Sequence, residues 1–189
     1  TAASTERKTL RFSESIGINS KVAENFGINT LIKYLVNKDL PLSVMNIKNC
    51  PFKSQYKAIE QFFINIILNH DVLPEKDKKT GIINFQGSNP DEITLVTAAY
   101  EFGFSFISRE NNIITIEIYD YSSEKKDTKK FEILQKFDFS SERQRSSIIV
   151  RDLSSKQIIL YLKGSDKKVF ESIDDCSYKS VYNKTKIHV

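Results

Sequence analysis

Two short apolar segments near the end of the chain constrain its fold more than any other feature. Residues 147–150 and 158–162 are rich in β-branched and aromatic side chains, and turn-forming polar residues at 152–156 separate them. This pattern predicts two antiparallel strands joined as a hairpin. Antiparallel pairing brings Lys163 and Gly164, after the second strand, close to Phe139, Arg143 and Arg145, which precede the first.

Two interpretations of this hairpin stay open on spacing alone. An aromatic face, a lysine amine and a glycine that lets a ligand approach the backbone suit a purine nucleotide. The other interpretation, a hairpin with a core phenylalanine and a solvated basic edge, is the more common outcome for such a pattern.

Two helices are predicted before the hairpin. Residues 55–69 carry apolar side chains at helical spacing, which predicts an amphipathic helix. Asn89 is typical of a helix N-cap, Pro90 suits the first helical position, and Gly103 ends the helix. Asp91 and Glu92 fall in the first turn, where the helix dipole favours carboxylates, and capping alone accounts for them.

The remaining segments give a coarser pattern. We expect strands at residues 82–85, 104–107, 113–119 and 130–139, polar loops at 74–80 and 121–128, and a helix at 167–173. Residues 30–36 fit either a buried strand or a helical turn, and residues 44–50 fit a strand or an extended linker. His70 stands alone, which favours a structural role at a helix end over metal binding.

Bulk properties exclude several classes of protein. The 189 residues are 40% hydrophobic, so they can form a core, and a net charge of +4 is too small to indicate nucleic-acid binding. Cys50 and Cys176 lack metal or redox spacing and suit a reducing compartment. There is no run of about 18 apolar residues to cross a membrane. The polar first eight residues are unlike a signal peptide, and we expect the chain to be a fragment of a longer protein.

Three motifs in order resemble the nucleotide-binding (N) domain of lipid-flipping (type IV) P-type ATPases. Phe139-Ser-Ser-Glu-Arg-Gln-Arg-Ser-Ser-Ile-Ile-Val-Arg151 and Leu160-Tyr-Leu-Lys-Gly-Ser-Asp166 resemble Phe-Ser-Ser-x-Arg-Lys-Arg-Met-Ser-Val-Ile-Val-Arg and Leu-Tyr-x-Lys-Gly-Ala-Asp. Asn89-Pro-Asp-Glu-Ile-Thr-Leu-Val-Thr-Ala-Ala99 and Gly103-Phe-Ser-Phe106 resemble Ser-Pro-Asp-Glu-x-x-Leu-Val-x-Ala-Ala and Gly-Phe-x-Phe. Asn69-His-Asp-Val72 resembles the family's Cys-His-Thr-Val, and Thr185-Lys-Ile-His188 its Thr-x-x-His.

The resemblance implies an α+β fold, an antiparallel sheet flanked by helices, that holds ATP at one face. By this resemblance Phe139 stacks on adenine, and Ser141 and Glu92 hydrogen-bond around the base and sugar, with one of the acidic pair Asp91 and Glu92 at the adenine end. Lys163 lies deep in the pocket near adenine and the path of the phosphates, and Gly164 keeps the approach clear. Arg143 is expected to brace the pocket through Glu92 or Asp91. No catalytic residue and no metal site is expected in the chain, and Mg²⁺ is expected mainly with the nucleotide or on another domain.

The sequence departs from the family pattern at two pocket positions. Gln144 stands where relatives carry a lysine that reaches towards phosphate, and Ser146 stands where methionine is usual. Losing one charge–phosphate contact in a wet pocket costs about 1 kcal/mol, so we expect ATP binding that is real but weak.

The first 50 residues resemble a degenerate phosphorylation-motif region and linker, and residues 51–189 an N domain that lacks its C-terminal end. Aligned without gaps, Glu24-Asn-Phe-Gly27 and Met45-Asn-Ile-Lys-Asn-Cys50 match family anchors, and Leu35 falls on the aspartyl nucleophile. An alkyl side chain cannot attack a phosphate, so the resemblance predicts a parent without a phosphoenzyme. The alternative is that these anchors match by chance and the true motif lies elsewhere.

Two functions for the parent therefore remain. One is a regulatory pseudo-ATPase module, such as the flippase-like half of certain protist guanylyl cyclases, with which the isoleucine-, lysine- and asparagine-rich composition is compatible. The other is an active phospholipid flippase in which this domain delivers ATP to a separate phosphorylation domain. Either parent implies a cytoplasmic domain of an integral membrane protein, with phosphorylation and actuator-like domains and a transmembrane region as neighbours.

Overall fold

The chain forms antiparallel sheets against which helices pack. The computed structural model describes residues 28–39, 54–76, 79 and 83–173. Its helices are α1 (Ile28–Val36), α2 (Gln55–Leu68), α3 (Pro90–Glu101) and α4 (Asp166–Glu171). Its strands are β1 (Leu73–Lys76), β2 (Ile83–Gln86), β3 (Phe104–Glu110), β4 (Ile113–Asp120), β5 (Lys125–Phe137), β6 (Arg145–Asp152) and β7 (Ile158–Gly164).

The larger sheet has five strands in sequence order, β3-β4-β5-β6-β7, each antiparallel to the next. The hairpin predicted at residues 147–162 is β6 and β7, with Ile148 opposite Tyr161. Strands β1 and β2 form a separate antiparallel pair. The predicted fold class, an antiparallel sheet with flanking helices, is confirmed.

The larger hydrophobic core of the described residues joins α1, α2 and α3 to the sheet. It contains Ile64 and Ile67 of α2, Val96 of α3, and Phe106 and Ile148 of the sheet, all close to fully buried. Each such side chain contributes about 1.5–3 kcal/mol through removal of apolar surface from water. Two polar side chains also fix α2 to the sheet, since Asn65 Nδ2 donates to Leu162 O at 2.9 Å and Asn69 Nδ2 to Ser146 O at 3.3 Å.

The predicted boundaries of α3 are confirmed. Asn89 is the N-cap and its Oδ1 accepts from Asp91 N at 3.0 Å, while Pro90 occupies the first turn. Gly103 follows the helix with φ of +83°, a left-handed conformation that favours glycine.

Two predicted loops are wrong in part. Residues 73–76 form β1, because β2 supplies backbone partners opposite them. Residues 125–128 extend β5 well before its predicted start, because the turn at 121–124 is tight and Asp120 already pairs with Lys125. In both cases polar composition indicated a loop, whereas pairing with a neighbouring strand decides the structure.

Residues 30–36 are helical, which settles the choice between helix and strand that the sequence left open. Leu35 of α1 is 2% exposed and belongs to the same core as α2, and Lys38 pairs with Asp120 at 2.7 Å. The predictions for residues 24–27, 44–50 and 174–189, including the Thr185–His188 resemblance, lie outside the described residues. The proposed boundary after residue 50 stays a prediction.

Candidate functional site

The candidate site lies at the end of the sheet where β7 leaves it. Lys163 is opposite Ser146 in the β6–β7 ladder. Its Nζ lies 2.7 Å from Glu92 Oε1, and both side chains are partly buried. The family resemblance predicts both residues in one pocket, and the structure brings them into direct contact.

Glu92 is held in place through both carboxylate oxygens. Oε2 accepts from the backbone N–H of Asp71 at 3.1 Å, while Oε1 binds Lys163. Partial burial favours the neutral acid, but the Lys163 hydrogen bond and charge and the Asp71 N–H outweigh it and hold the pKa of Glu92 below its ordinary value. The first turn of α3 therefore presents a fixed carboxylate to the site.

Phe139 lies in the connection between β5 and β6, at this same end of the sheet. Its side chain is 63% exposed, so the interpretation as a core phenylalanine is excluded. The connection closes on itself, since Gln144 N donates to Ser140 O at 2.7 Å and Arg143 N to Ser140 Oγ at 3.2 Å. An exposed aromatic on a well-defined loop offers one face for stacking.

The resemblance predicted that Arg143 braces the pocket through Glu92 or Asp91, but its guanidinium has other partners in the structure. Its guanidinium donates to Asp138 O at 2.9 Å and to Ser147 Oγ at 3.2 Å, and it lies over the Phe137 ring at 5.4 Å. These contacts tie the connection that carries Phe139 to the two strands it joins. Arg143 thus supports the position of Phe139.

Gly164 has a packing role that the sequence analysis did not expect. A Cβ at this position would lie 2.6 Å from both Gln144 O and Arg145 Cβ. The glycine therefore allows β6 and the connection before it to approach β7. Its expected role in leaving room for a ligand stays a prediction. Gln144 itself is exposed with a φ of +52°, and its carbonyl accepts from Ser165 N at 3.0 Å.

Asp91 and Ser141 are both exposed. Asp91 lies in the first turn of α3 and Ser141 in the turn after Phe139. Their predicted contacts with base and sugar stay predictions.

An ionic cluster that was not predicted from the sequence lies beside Glu92 and consists of Asp71, Arg109, Lys136 and Asp138. Lys136 binds the Asp71 carboxylate and lies 3.0 Å from Asp138 Oδ1, and Arg109 lies 3.8 Å from Asp71 Oδ1. The only sequence signal was Asp71, which stands where the family pattern has threonine.

His70 takes the structural role that its isolation in the sequence predicted. The ring is 1% exposed, meets the Phe106 ring edge-on at 4.7 Å, and its Nδ1 accepts from Val72 N at 2.9 Å. Burial, with Arg109 and Lys163 nearby, lowers its pKa to about 4. The imidazole is therefore neutral at pH 7.

The site has the chemistry of a binding site for a flat, polar ligand. It combines an exposed aromatic ring, a paired lysine and a carboxylate that can accept from an exocyclic amine. The described residues contain no group of three or more acidic, histidine or cysteine side chains able to hold a metal. In the same part of the chain, every helix is too short or too polar to cross a bilayer.

Comparison with known proteins gives a consistent family. Residues 37–188 match the family described as P-type ATPase, cytoplasmic domain N. Probable phospholipid-transporting ATPase 11 of Arabidopsis thaliana is 36% identical over 132 residues, which cover 70% of this chain and 11% of that protein. Phospholipid-transporting ATPase IC of Xenopus tropicalis is 42% identical over 117 residues, which cover 62% and 9%. The chain spans about a tenth of the length of the curated relatives it matches.

Proposed function

Because the chain belongs to the P-type ATPase family as its cytoplasmic domain N, we propose that it binds ATP at the end of the sheet where Lys163, Glu92 and Phe139 lie. We further propose that the parent is of the phospholipid-transporting (type IV) class. The names of the relatives support that class. In such a parent the domain lies on the cytoplasmic side of an integral membrane protein, beside phosphorylation and actuator-like domains.

The contact between Lys163 and Glu92 is the observation that carries the proposal. A lysine and a carboxylate from distant parts of the chain meet at 2.7 Å, at the sheet end where Phe139 is 63% exposed. The pair offers a donor and an acceptor side by side, and the phenyl ring offers a stacking surface. Stacking of a base on an aromatic ring contributes about 1–3 kcal/mol in nucleic-acid proteins.

In this proposal adenine stacks on Phe139 and its exocyclic amine donates to Glu92, while Lys163 lies beneath the base towards the phosphates. Ser141 and Asp91 lie at the rim, within the first turns that flank the pocket. Gln144 follows the turn and leaves the phosphates with one positive charge fewer than in the family pattern. The nucleotide is therefore held mainly by its base.

The domain itself performs no bond-breaking step in this proposal. Its residues bind and orient ATP, and phosphoryl transfer needs an aspartate and Mg²⁺ on a separate domain. Mg²⁺ accompanies the phosphates or binds that other domain.

The proposal is tested by calorimetric titration of the domain with ATP, ADP and GTP, each with and without Mg²⁺. We expect saturable ATP binding that is weak and changes little with Mg²⁺, because the base carries most of the contacts. Absence of any nucleotide binding would contradict the proposal and leave a purely structural domain.

We also propose that the parent is a regulatory pseudo-ATPase rather than an active flippase. Leu35 supports this, because the residue that the ungapped resemblance aligns with the nucleophile has an alkyl side chain, which cannot attack a phosphate. A guanylyl cyclase fusion is one parent that would use such a module. Cyclase domains in the sequence beyond this chain would favour it.

The pseudo-ATPase proposal is tested on the full-length protein with γ-labelled ATP. We expect no hydroxylamine-sensitive label, and none after Leu35→Asp alone, because a carboxylate introduced at a buried helical position is poorly tolerated and is not accessible. Robust labelling of the unmodified protein would contradict the proposal and indicate an active flippase that receives ATP from this domain.

A further inference from the structure

Asp71 connects the separate parts of the candidate site. It lies between the end of α2 and the start of β1. Its backbone N–H donates to Glu92 Oε2 at 3.1 Å, which stabilises the carboxylate that binds Lys163. Its side chain binds Lys136 of β5 and lies 3.8 Å from Arg109 of β3.

Lys136 extends this connection to the loop that carries the aromatic ring. Its Nζ also lies 3.0 Å from Asp138 Oδ1, and Asp138 is the residue immediately before Phe139. The Asp138 carbonyl accepts from Arg143 at 2.9 Å. One chain of contacts therefore runs from the Glu92–Lys163 pair through Asp71 and Lys136 to the base of the Phe139 loop.

The Asp71 carboxylate is one of two charged partners that hold Lys136 in place among the described residues. The Lys136 side chain is only 20% exposed, whereas Asp71 is 62% and Asp138 74% exposed. A largely buried lysine is stabilised by charged partners, and without Asp71 the partner left among the described residues is the highly exposed Asp138. The threonine that the family pattern has at this position carries a hydroxyl and no charge, so it could not form this ion pair.

We propose that Asp71 is a positioning residue that sets the distance between Phe139 and the Glu92–Lys163 pair, and thereby the fit of the base. The inference rests on the proposed ATP site. Because Asp71 acts on the base end, its effect falls equally on adenosine and on ATP. A charge that acted on the phosphates would instead separate the two ligands.

The variant Asp71→Asn tests this, because it removes the carboxylate and leaves the backbone N–H that holds Glu92. Titration of wild type and variant with adenosine and with ATP gives the change in Kd for each ligand. We expect both to bind about two- to fivefold more weakly, by the same factor, as for a partly exposed ion pair. The loss should shrink at about 0.5 M NaCl, where such pairs are screened.

Two further variants separate positioning from folding. Glu117→Gln breaks an exposed pair with Lys126, 3.0 Å apart and away from the site, and should leave both Kd values unchanged. If Asp71 acts through Lys136, the double variant Asp71→Asn/Lys136→Met should bind no more weakly than Lys136→Met alone.

Three results would overturn the inference. Unchanged binding in Asp71→Asn would show that the carboxylate has no positioning role. Tighter or selectively altered ATP binding, with adenosine unchanged, would show a charge effect on the phosphates. Failure of the wild type to bind adenosine or ATP would remove the proposed function, and this inference with it.

Discussion

At the residue scale, Gln144 is the position where this chain has a neutral side chain and the family pattern has a lysine. It is exposed in the left-handed conformation, so a lysine there introduces no new backbone strain. We expect Gln144→Lys to strengthen ATP binding about fivefold, the worth of one exposed charge–phosphate contact, and adenosine binding hardly at all. Titration with both ligands measures this, and equal gains would mean that position 144 does not face the phosphates.

His70 should make the stability of the domain depend on pH. Its pKa is about 4 when folded, whereas an unfolded histidine titrates near its ordinary 6.5. Between about pH 6.5 and pH 4 the unfolded histidine is protonated and the folded one is still neutral. The stabilisation that is present above pH 6.5 is therefore lost as the pH falls from 6.5 to about 4. The full loss is about 3 kcal/mol.

The variant His70→Asn isolates this effect, because asparagine keeps an acceptor for the Val72 N–H and does not titrate. Urea unfolding at pH 7 and at pH 4 gives the free energy of unfolding of both proteins. We expect the advantage of wild type over the variant to fall by about 3 kcal/mol between the two pH values. A constant difference would show that the folded histidine titrates normally.

Contacts were predictable from the sequence only where the family motifs contain both residues. The contact of Glu92 with Lys163 was foreseeable in this way, since the resemblance predicts both in one pocket. The partners of Arg143 and the contacts around Gly164 were not, because they depend on how the 138–144 connection folds back on β6 and β7. The Asp71–Lys136 contact joins residues far apart in the chain and follows from the sheet arrangement alone.

At the element scale, the approach of β6 to β7 depends on Gly164. We expect Gly164→Ala to lower the free energy of unfolding by about 1–3 kcal/mol, because the new Cβ would meet backbone and Cβ atoms 2.6 Å away that cannot easily move. Gly87→Ala is the matched control, because the new Cβ would lie 3.4 Å from Val72 Cγ2, which is an ordinary contact distance. We expect this variant to change the free energy of unfolding by less than about 0.5 kcal/mol.

Urea denaturation of both glycine variants measures the difference. Equal stability of the two would contradict this account and show that β6 yields to the added methyl group. The comparison also distinguishes packing from ligand room, because it is made without nucleotide.

Elements with local signals were predicted best. The cap, proline and glycine of α3 mark its ends by their own backbone preferences, and the apolar spacing of α2 follows the helical period. The start of β5 and the whole of β1 were missed, because their polar residues become strands only through partners supplied by β4 and β2. Helix α1 was too short for its period to distinguish helix from strand.

At the scale of the whole molecule, the fold class followed from the hairpin and the family motifs, and the proposed division after residue 50 stays a prediction. Leu35 of α1 is buried in the same core as α2, so the described part of the first segment packs with the rest of the domain. No local pattern in residues 28–39 predicts this packing, because it depends on which apolar surface of α2 and the sheet the other elements leave uncovered.

The central claim is that the exposed ring of Phe139 binds the base of ATP. The most direct measurement compares the Kd for ATP of wild type, Phe139→Ala and Phe62→Ala. Phe62 lies on α2 and is 60% exposed, against 63% for Phe139, so both variants remove an equally exposed phenyl ring. We expect Phe139→Ala to weaken binding at least about fivefold, the lower end of stacking energies, and Phe62→Ala to leave it unchanged. Equal Kd values for the two variants would contradict the account.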